Sequence, residues 1–301
     1  MKGIVKGAYD MTNPGRNSLC WCGSGLKYKK CHYQLDELLE KYKHKGILIP
    51  SKNIIKNQKQ IAGIKESAKI NIAVLDEVSR QIEIGMSTQE IDDIVAETTK
   101  RFQAIAAQLN YEGFPKSSCV SINNQVCHGI PSEKVFLKDG DIVNVDVSTI
   151  YKGYFSDSSR MFCIGDVTAE KKKLVEVAKK SLEVGLEQVK PFGFLGDVGE
   201  AIYHFVKNNG YSVVREIGGH GIGLEFHEKP WVGYVSKRGT GMLMVPGMCF
   251  TIEPMINMGR ADICSKEQDG WPVYYTADGS ASAQWEIQVL VTENGHEIIA
   301  Y

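Results

Sequence analysis

Two stretches of the chain carry the same order of predicted elements, and this repeat constrains the fold more than any other feature. In the first copy, apolar residues recur at steps of three and four from Ile61 to Ile82, as on one face of a helix. Ser87 and Glu90 have the spacing of a capping box, which predicts a second helix to about Ala107. Strand-like segments follow at 118–126, 141–150 and 153–164.

The second copy begins at Thr168, which is placed to cap a helix that runs to about Lys190. Asp197 and Glu200 then predict the start of another helix, which ends at 208–210. Strands are predicted again at 212–217, 248–256, 273–276 and 285–291. Two helices followed by strands, twice over, predict an α+β fold with a pseudo-two-fold repeat and helices covering the sheets.

A pair of acidic residues flanks the turn at 151–153. The strand at 141–149 alternates apolar and polar residues, so Asp146 lies on its polar face. A hairpin centred between residues 151 and 152 would set Asp146 directly opposite Asp157. Like charges across an antiparallel pair destabilise it, and the cost grows in apolar surroundings unless a cation lies between them. The hairpin therefore predicts a metal ion, although two exposed acids at a sheet edge remain an alternative.

Three more candidate ligands follow along the chain. His220 lies among the glycines of 217–223, Glu253 ends an apolar strand, and Glu286 begins another. By itself, each of these residues is equally explained by a salt bridge or a hydrogen-bonded core histidine. Together with the two aspartates they make an oxygen-rich set with one imidazole, which suits two divalent ions.

Seven segments resemble type I methionine aminopeptidases in sequence and in order, over about residues 54–301. They are KSSCVSINNQVCHGIP (116–131), VNVDVS (143–148), FSDSSRMF (155–162), GGHGIGLEFHEKP (218–230), FTIEPM (250–255), DGWPV (269–273) and SAQWE (282–286). The resemblance implies the "pita-bread" fold, whose two related halves agree with the repeat. It also implies a hydrolase that removes the initiator methionine from peptides and nascent proteins by cleaving the first peptide bond.

The resemblance also implies the residues that carry this chemistry. Asp157 and Glu286 would bridge two divalent ions (Mn, Fe or Co), and the ions would activate a water for attack. The full set of metal ligands would be Asp146, Asp157, His220, Glu253 and Glu286. Glu253 would also be the general base, His227 would support the scissile carbonyl, and His128 would contact the scissile amide nitrogen. The substrate methionine would be bound by His128, Tyr111, Phe114, Cys119, Phe226, His227 and Trp271.

Finer features of the resemblance differ in this chain. Residue 114 is Phe where the family usually has Tyr, and Ile287 follows Glu286 where bacterial members often have His. Neither departure affects the five ligands. Asn123 and Ser282 match positions at which the family holds a monovalent cation, so one such ion is also implied.

The N-terminal residues form a second, smaller pattern. Cys20, Cys22, Cys31 and His32 follow the spacing C-x-C-x8-C-H and resemble the zinc motif at the C-terminus of the SecA translocase. Four such ligands suit one structural Zn²⁺. We therefore predict a zinc module with its linker at 1–48 and a catalytic domain at 49–301. The alternative is a set of reduced cysteines in a flexible tail.

The charge distribution points to a partner for this module. Residues 1–60 carry a balance of +8, whereas the whole chain carries −1. A basic arm suggests an anionic partner such as the ribosome, and a solvated linker is the alternative. With no apparent signal peptide or membrane span, we expect a cytoplasmic protein that makes no membrane contact, with a monomer as the default.

Two other functions are compatible with parts of the pattern. A proline-specific peptidase of the same fold would use the same five ligands, but such enzymes usually carry a larger N-terminal domain. A catalytically dead relative used for binding tends to lose ligands, whereas all five are present here. A zincin is excluded, because the position four residues after His227 is Trp231.

Overall fold

The computed structural model describes residues 13–301, and three of their five α-helices begin where the sequence offers a capping side chain. Asn57 and Ser87 each form a capping box, and the Thr168 side chain accepts the N–H of Lys171. Each cap satisfies a backbone N–H group that lacks a partner within the helix. The α-helices of the described residues are α1 (Tyr33–His44), α2 (Gln58–Gln81), α3 (Thr88–Arg101), α4 (Ala169–Leu186) and α5 (Leu195–Asn208).

Fifteen strands occur in the same 289 described positions, many of them short. They are β1 (Ile105–Ala106), β2 (Cys119–Ile122), β3 (Gln125–Cys127), β4 (Ile142–Tyr151), β5 (Tyr154–Cys163), β6 (Ser212–Val213), β7 (Gly219–Gly221), β8 (Glu228–Val232), β9 (Cys249–Ile252), β10 (Met255–Asn257), β11 (Ile263–Gln268), β12 (Trp271–Thr276), β13 (Ser282–Gln284), β14 (Ile287–Thr292) and β15 (Gly295–Ala300).

The strands form two larger and two smaller antiparallel sheets. In one larger sheet β4 lies between β1 and β2 and also pairs with β5; in the other the order is β15-β14-β9-β7-β8. The smaller sheets have the orders β13-β10-β6 and β11-β12-β3. The two larger sheets meet at an isolated bridge between Ser159 and Glu286.

Alternation along β4 separates the core from the site. Val143, Val145 and Val147 are buried in one cluster with Val74 and Val78 of α2. Because successive strand residues face opposite sides, Asn144, Asp146 and Ser148 point away from this helix. In the second half, α4 and α5 pack together over the core that contains β9 and β14. The predicted α+β fold with two helix-plus-sheet halves is confirmed.

The predicted register of the β4–β5 hairpin is wrong by two residues. Asp146 lies opposite Ser159, and Asp157 lies opposite Ser148. The two aspartates are therefore diagonal neighbours on one face of the sheet rather than a directly opposed pair. Their carboxylates still lie on the same side of the sheet, so a cation between them would still relieve their repulsion.

The reason for this shift is the length of the turn. Tyr151 pairs with Tyr154, which leaves Lys152 and Gly153 as a two-residue loop. Both have positive φ, 51° and 81°, as the favoured two-residue hairpin turn requires. Glycine adopts this conformation without steric cost, and the prediction of a three-residue turn at 151–153 overlooked this preference.

Several predicted helix limits also differ from the structure. The helix predicted to reach Ala107 ends at Arg101, because Ile105 and Ala106 pair with β4 as β1. The helix α4 ends at Leu186 rather than near residue 190. Asp197 does not cap α5 from outside: it lies within the first turn, and its carboxylate accepts the N–H of Phe194.

The N-terminal segment packs against the rest of the chain. Leu39 of α1 is buried in the same core as α4 and α5, and the Tyr42 ring stacks on Phe192 at 6.2 Å. The Asn57 side chain donates to the carbonyl of Cys22 at 2.6 Å. The proposed division at residue 48 stays a prediction, and its first twelve residues lie outside the described ones. Among residues 13–301, none of the helices has the length and apolar character needed to cross a membrane.

Candidate metal centre

Both halves of the fold contribute side chains to one deep cleft. Asp146 projects from the middle of β4 and Asp157 from β5, while His220 lies on the short strand β7. Glu253 follows β9 directly, and Glu286 precedes β14 directly. All five line a cleft of about 1070 Å³. The structure therefore brings together every metal ligand that the sequence predicted.

The donor atoms lie at metal-ligand spacing. One ligand atom each of Asp157, His220 and Glu286 lies within 4.8 Å of the other two. The His220 Nε2 atom is 3.7 Å from Asp157 Oδ2 and 3.7 Å from Glu253 Oε1. Asp146 joins the group through its interaction with Asp157.

Neighbouring polar side chains fix the orientation of the first-half carboxylates. The Ser148 hydroxyl donates to Asp157 Oδ1 at 2.8 Å, and Gln108 Nε2 donates to Asp146 Oδ1 at 3.1 Å. Each bond occupies one lone pair of its carboxylate and leaves others free for a cation. Ser148 follows from the strand alternation, whereas Gln108 was missed because it is 38 residues from Asp146 in sequence.

The Glu253 carboxylate is held from two sides. The Thr251 hydroxyl donates to Oε1 at 2.7 Å, and Gln284 Nε2 donates to Oε2 at 3.2 Å. The backbone N–H of Glu253 donates to the buried Tyr234 hydroxyl at 2.7 Å. Such contacts hold a ligand in one orientation before any ion binds.

Burial makes the anionic form of these carboxylates costly. It raises the pKa of Asp146 to about 7 and that of Glu253 to about 8. Burial, followed by repulsion from neighbouring acids, raises the pKa of Asp157 and of Glu286 well above the ordinary range. Four carboxylates that share one cleft, three of them buried, are stable as anions only when cations neutralise them.

The pKa of the imidazole in the cluster is shifted in the opposite direction. Burial lowers the pKa of His220 to about 3, so the ring is neutral near pH 7. Its Nδ1 lies 3.0 Å from the carbonyl oxygen of Gly221, which directs Nε2 toward the carboxylates. A neutral imidazole among carboxylates is a donor set that fits divalent transition-metal ions.

Two further histidines line the same cleft. The His227 ring lies 4.2 Å from the His220 ring, and its Nδ1 is 2.9 Å from the Tyr111 hydroxyl. Burial lowers the pKa of His128 to about 4, and its buried Nδ1 has no hydrogen-bond partner among the described residues. A buried polar atom without a partner is costly and is typical of a position that receives a ligand.

Aromatic side chains and one thiol form the apolar wall. Tyr111 packs edge-on against Phe226 at 4.7 Å, and Phe114 packs edge-on against Trp271 at 5.3 Å. Cys119 is buried beside Phe114 and Trp271. All five predicted pocket residues therefore line the cleft. The Asn123 carbonyl accepts the N–H of Ser282 at 2.8 Å, so these residues also meet, while the monovalent cation stays a prediction.

The four N-terminal candidates form a separate cluster. His32 Nδ1 lies 3.3 Å from the sulfur of Cys20 and 3.1 Å from that of Cys31. The sulfurs of Cys22 and Cys31 are 3.6 Å apart. Zn–S bonds of about 2.3 Å at tetrahedral angles place sulfurs roughly 3.7 Å apart. The spacing therefore fits one tetrahedral zinc ion.

A family model connects this geometry to known proteins. The model "Metallopeptidase family M24" matches residues 62–293, which include all five side chains of the cleft. The chain belongs to metallopeptidase family M24. The model "SEC-C motif" matches residues 16–34 of this M24 peptidase, and that span contains the four-residue N-terminal cluster.

Curated relatives place the chain among the methionine aminopeptidases of the family. It is 41% identical over 287 residues to the methionine aminopeptidase of Chlamydia pneumoniae, covering 94% of this chain and 98% of that protein. It is 44% identical over 246 residues to that of Escherichia coli K12, covering 81% and 92%. The protein is therefore a metallo-aminopeptidase, a hydrolase whose family uses divalent metal ions.

Solved structures agree with this placement. The crystal structure of methionine aminopeptidase from Rickettsia prowazekii superposes with a TM-score of 0.80 at 42% identity, covering 82% of this chain and 99% of that one. The prolidase from Pyrococcus horikoshii superposes at 0.65 with 22% identity, a likeness of fold alone. This M24 peptidase covers only 63% of the prolidase chain. The pita-bread fold implied by the sequence is confirmed.

The sequence did not reveal every residue at the cleft. Ser51, Asn53 and Ile54, from the linker before α2, line it, and so does Glu228. The linker residues carry no pattern that would place them there. Glu228 follows His227 directly in the quoted motif, but its ion-pair partner, Lys56, is 172 positions away in sequence.

Proposed function

We propose that the five-residue cluster holds two divalent ions and that this M24 peptidase removes the N-terminal methionine from peptides and nascent proteins. The observation that carries the proposal is the meeting of four carboxylates, three of them buried and that of Asp146 half-buried, with one neutral imidazole. Asp157 and Glu286, two of the three residues whose ligand atoms lie within 4.8 Å of one another, would contact both ions. Asp146 would complete one ion's ligands, and His220 with Glu253 would complete the other's.

When bound, the ions would supply Lewis acidity and lower the pKa of a water that they hold. The protein then has to move a proton and stabilise a developing charge. Glu253 accepts the proton from the water, and Thr251 and Gln284 hold its carboxylate for this task. His227 stabilises the oxyanion that develops at the scissile carbonyl, while His128 contacts the amide nitrogen.

The apolar wall accounts for the preference for methionine. Tyr111, Phe114, Cys119, Phe226 and Trp271 form a pocket of aromatic faces and one thiol. Sulfur–aromatic contacts are favourable for a thioether, so the pocket discriminates methionine from polar side chains. The chemical test is hydrolysis of Met-Ala-Ser against an Ala-Pro peptide, after reconstitution with Mn²⁺, Fe²⁺ or Co²⁺.

We expect release of free methionine from Met-Ala-Ser, no cleavage of the Ala-Pro peptide, and loss of turnover in D157A. The exposed-site variant D93N is the matched control, because it removes a carboxylate of the same size outside the cleft. Cleavage of only the Ala-Pro peptide would favour a proline-specific enzyme. A protein that binds metal but cleaves neither peptide would be a binding protein, and either result would overturn the proposal.

We further propose that Cys20, Cys22, Cys31 and His32 bind one structural Zn²⁺. A module of this size has too small a core to fold by itself, so the metal supplies part of its folding free energy. Zinc analysis of the wild type and of a variant with Cys20 and Cys22 both changed to Ser tests this. Loss of one zinc per chain is expected, and an unchanged zinc content would refute the assignment.

The zinc module also offers a surface for an anionic partner, which we propose is the ribosome. Lys27, Lys29 and Lys30 are exposed on one short turn, near the exposed side chains of Leu19 and Leu26. Lys2 and Lys6, which also contribute to the basic balance, lie outside the described residues. Nascent chains emerge in the cytoplasm, the reducing compartment that these cysteines require. We propose that the protein acts there as a monomer.

Co-sedimentation with ribosomes tests this partner. A smaller fraction of the charge-neutralised variant K27Q/K29Q/K30Q than of the wild type should sediment with ribosomes. A higher salt concentration should weaken the ribosome binding of both proteins. A matched control is K172Q/K173Q/K180Q, which removes three exposed lysines from α4. Equal sedimentation of all three proteins would remove the ribosome from the account.

A further inference from the structure

A buried ion pair joins the linker to the loop that carries two residues of the cleft. Lys56 Nζ lies 2.5 Å from Glu228 Oε2, and the two side chains are 0% and 8% exposed. The residues are 172 positions apart in sequence. The ammonium also donates to the Ile54 carbonyl at 3.3 Å, so its hydrogen bonds are directed toward fixed acceptors.

The other oxygen of the Glu228 carboxylate organises the loop itself. Oε1 accepts the N–H of Leu224 at 2.7 Å and that of Glu225 at 3.0 Å. Charge-assisted bonds of this kind are stronger than those between neutral groups. The carboxylate therefore clamps the beginning of the loop, and Lys56 fixes the carboxylate.

The lysine also packs beneath the loop. A side chain at Gly223 would lie 3.4 Å from Lys56 Cε and 2.5 Å from Ile64 Cδ1, so the backbone there rests on α2 and the linker. The Lys56 N–H donates to the Gly247 carbonyl at 2.8 Å, which holds the linker against the strand β9 region. Lys56 is thus held by residues outside the loop.

The two side chains that this loop presents belong to the cleft. Phe226 packs against Tyr111, and His227 lies beside both Tyr111 and His220. Neither residue contacts Lys56 or Glu228 through a hydrogen bond in the described residues. A shift of the loop would consequently move the methionine pocket and the oxyanion-stabilising ring together.

We propose that Lys56 and Glu228 form a positioning pair, which fixes residues 223–228 so that Phe226 and His227 are aligned with the metal centre. The proposal rests on the proposed aminopeptidase function, because alignment is measured against that site. Displacing a reacting group by about 1 Å can cost on the order of a hundredfold in rate. Neither residue is among the five proposed metal ligands, and the pair would act on catalysis through the positions of Phe226 and His227.

The double variant K56M/E228L separates positioning from stability. Changing one partner would leave a buried unpaired charge, which is strongly destabilising, whereas replacing both with apolar residues is often nearly neutral. The loop amides of Leu224 and Glu225 nevertheless lose their acceptor. Lys65 and Glu297, an ion pair of 2.7 Å that is 35% and 46% exposed, supply the matched control K65M/E297L.

Both double variants and the wild type are loaded with Mn²⁺ and assayed with Met-Ala-Ser. For K56M/E228L we expect an unchanged metal content and a Tm near that of the wild type. Its kcat/KM should decrease by a factor of about 10 to 100, because kcat is lower and KM is higher. A merely unfolded fraction would lower apparent kcat and leave KM unchanged. Hydrogen exchange should accelerate at Leu224 and Glu225 but not in β4 and β5, and the control should resemble the wild type.

The single variant E228Q is measured alongside, because its amide oxygen can still accept both loop N–H groups but no longer attracts Lys56 as an anion. We expect its kcat/KM to lie between those of the wild type and the double variant, while its Tm falls below both, because Lys56 stays buried without a counter-charge. Wild-type kcat/KM and wild-type exchange in both variants would overturn the positioning role. A wild type that does not cleave Met-Ala-Ser would instead refute the proposed function, and the exchange data would still report on the loop.

Discussion

Removing the metal should make the stability of this peptidase strongly dependent on pH. In the metal-free protein, burial raises the pKa of Asp146 from 3.8 to about 7 and that of Glu253 from 4.5 to about 8. The folded state therefore holds these protons more tightly than the unfolded state. The stabilisation that these two groups contribute is fully present below about pH 4. It is lost as the pH rises through about 7 to 8.

The magnitude follows from the size of these displacements. One pH unit of displacement corresponds to 1.36 kcal/mol, so about three units correspond to roughly 4 kcal/mol for each carboxyl group. The two groups titrate as a coupled set, and their contributions do not simply add. Roughly 2 kcal/mol of this remains to be lost between pH 6.5 and pH 8. At roughly 2–4 °C per kcal/mol for a chain of this size, this lowers the Tm by about 4–8 °C.

The assay is thermal unfolding of chelated protein between pH 5 and pH 8, repeated with excess Mn²⁺. Buried His128 and His220, whose pKa values are lowered to about 4 and about 3, add stability as the pH rises to about 6.5. The Tm of the metal-free protein should therefore fall between about pH 6.5 and pH 8, whereas the loaded protein should change little, because bound cations keep the carboxylates anionic. The variant E253Q removes one titrating group and should reduce the slope of Tm against pH. The exposed-site variant D93N should keep the wild-type slope. A metal-free Tm that is equal at pH 6.5 and pH 8 would refute the reasoning.

Three further predictions follow from single contacts. H227A should lower kcat for Met-Ala-Ser about a hundredfold while the metal content stays unchanged, since the ring stabilises charge and binds no ion; an unaltered kcat contradicts this. G63A should lower the free energy of unfolding in urea by about 1–3 kcal/mol, because its Cβ would lie 2.2 Å from the Tyr154 ring; unchanged stability would show that the ring moves freely. C22S should lose zinc and keep the two active-site ions, so loss of all metal would contradict separate sites.

Much of this architecture could be predicted from local patterns. Apolar periodicity identified α2, and the alternation along β4 placed Asp146 on the face opposite the core. Capping residues such as Ser87 and Thr168 set helix starts correctly. These features depend on residues a few positions apart, where backbone geometry alone decides which side chains share a face.

The remaining features depend on contacts between distant segments. The hairpin register was set by the conformation of two residues, Lys152 and Gly153, and an error there moved the partner of Asp146 by two positions. Strands of two or three residues, such as β1 and β7, are too short to carry a period. The Lys56–Glu228 pair joins positions 172 residues apart, so no spacing rule could indicate it.

The central claim is that two divalent ions occupy the space between five side chains from both halves of the fold. Anomalous diffraction at the manganese edge, from crystals grown with Mn²⁺, tests it directly. We expect two peaks within ligand distance of these residues, with Asp157 and Glu286 shared between them. Peaks elsewhere, or a cleft without any peak at saturating Mn²⁺, would contradict the claim.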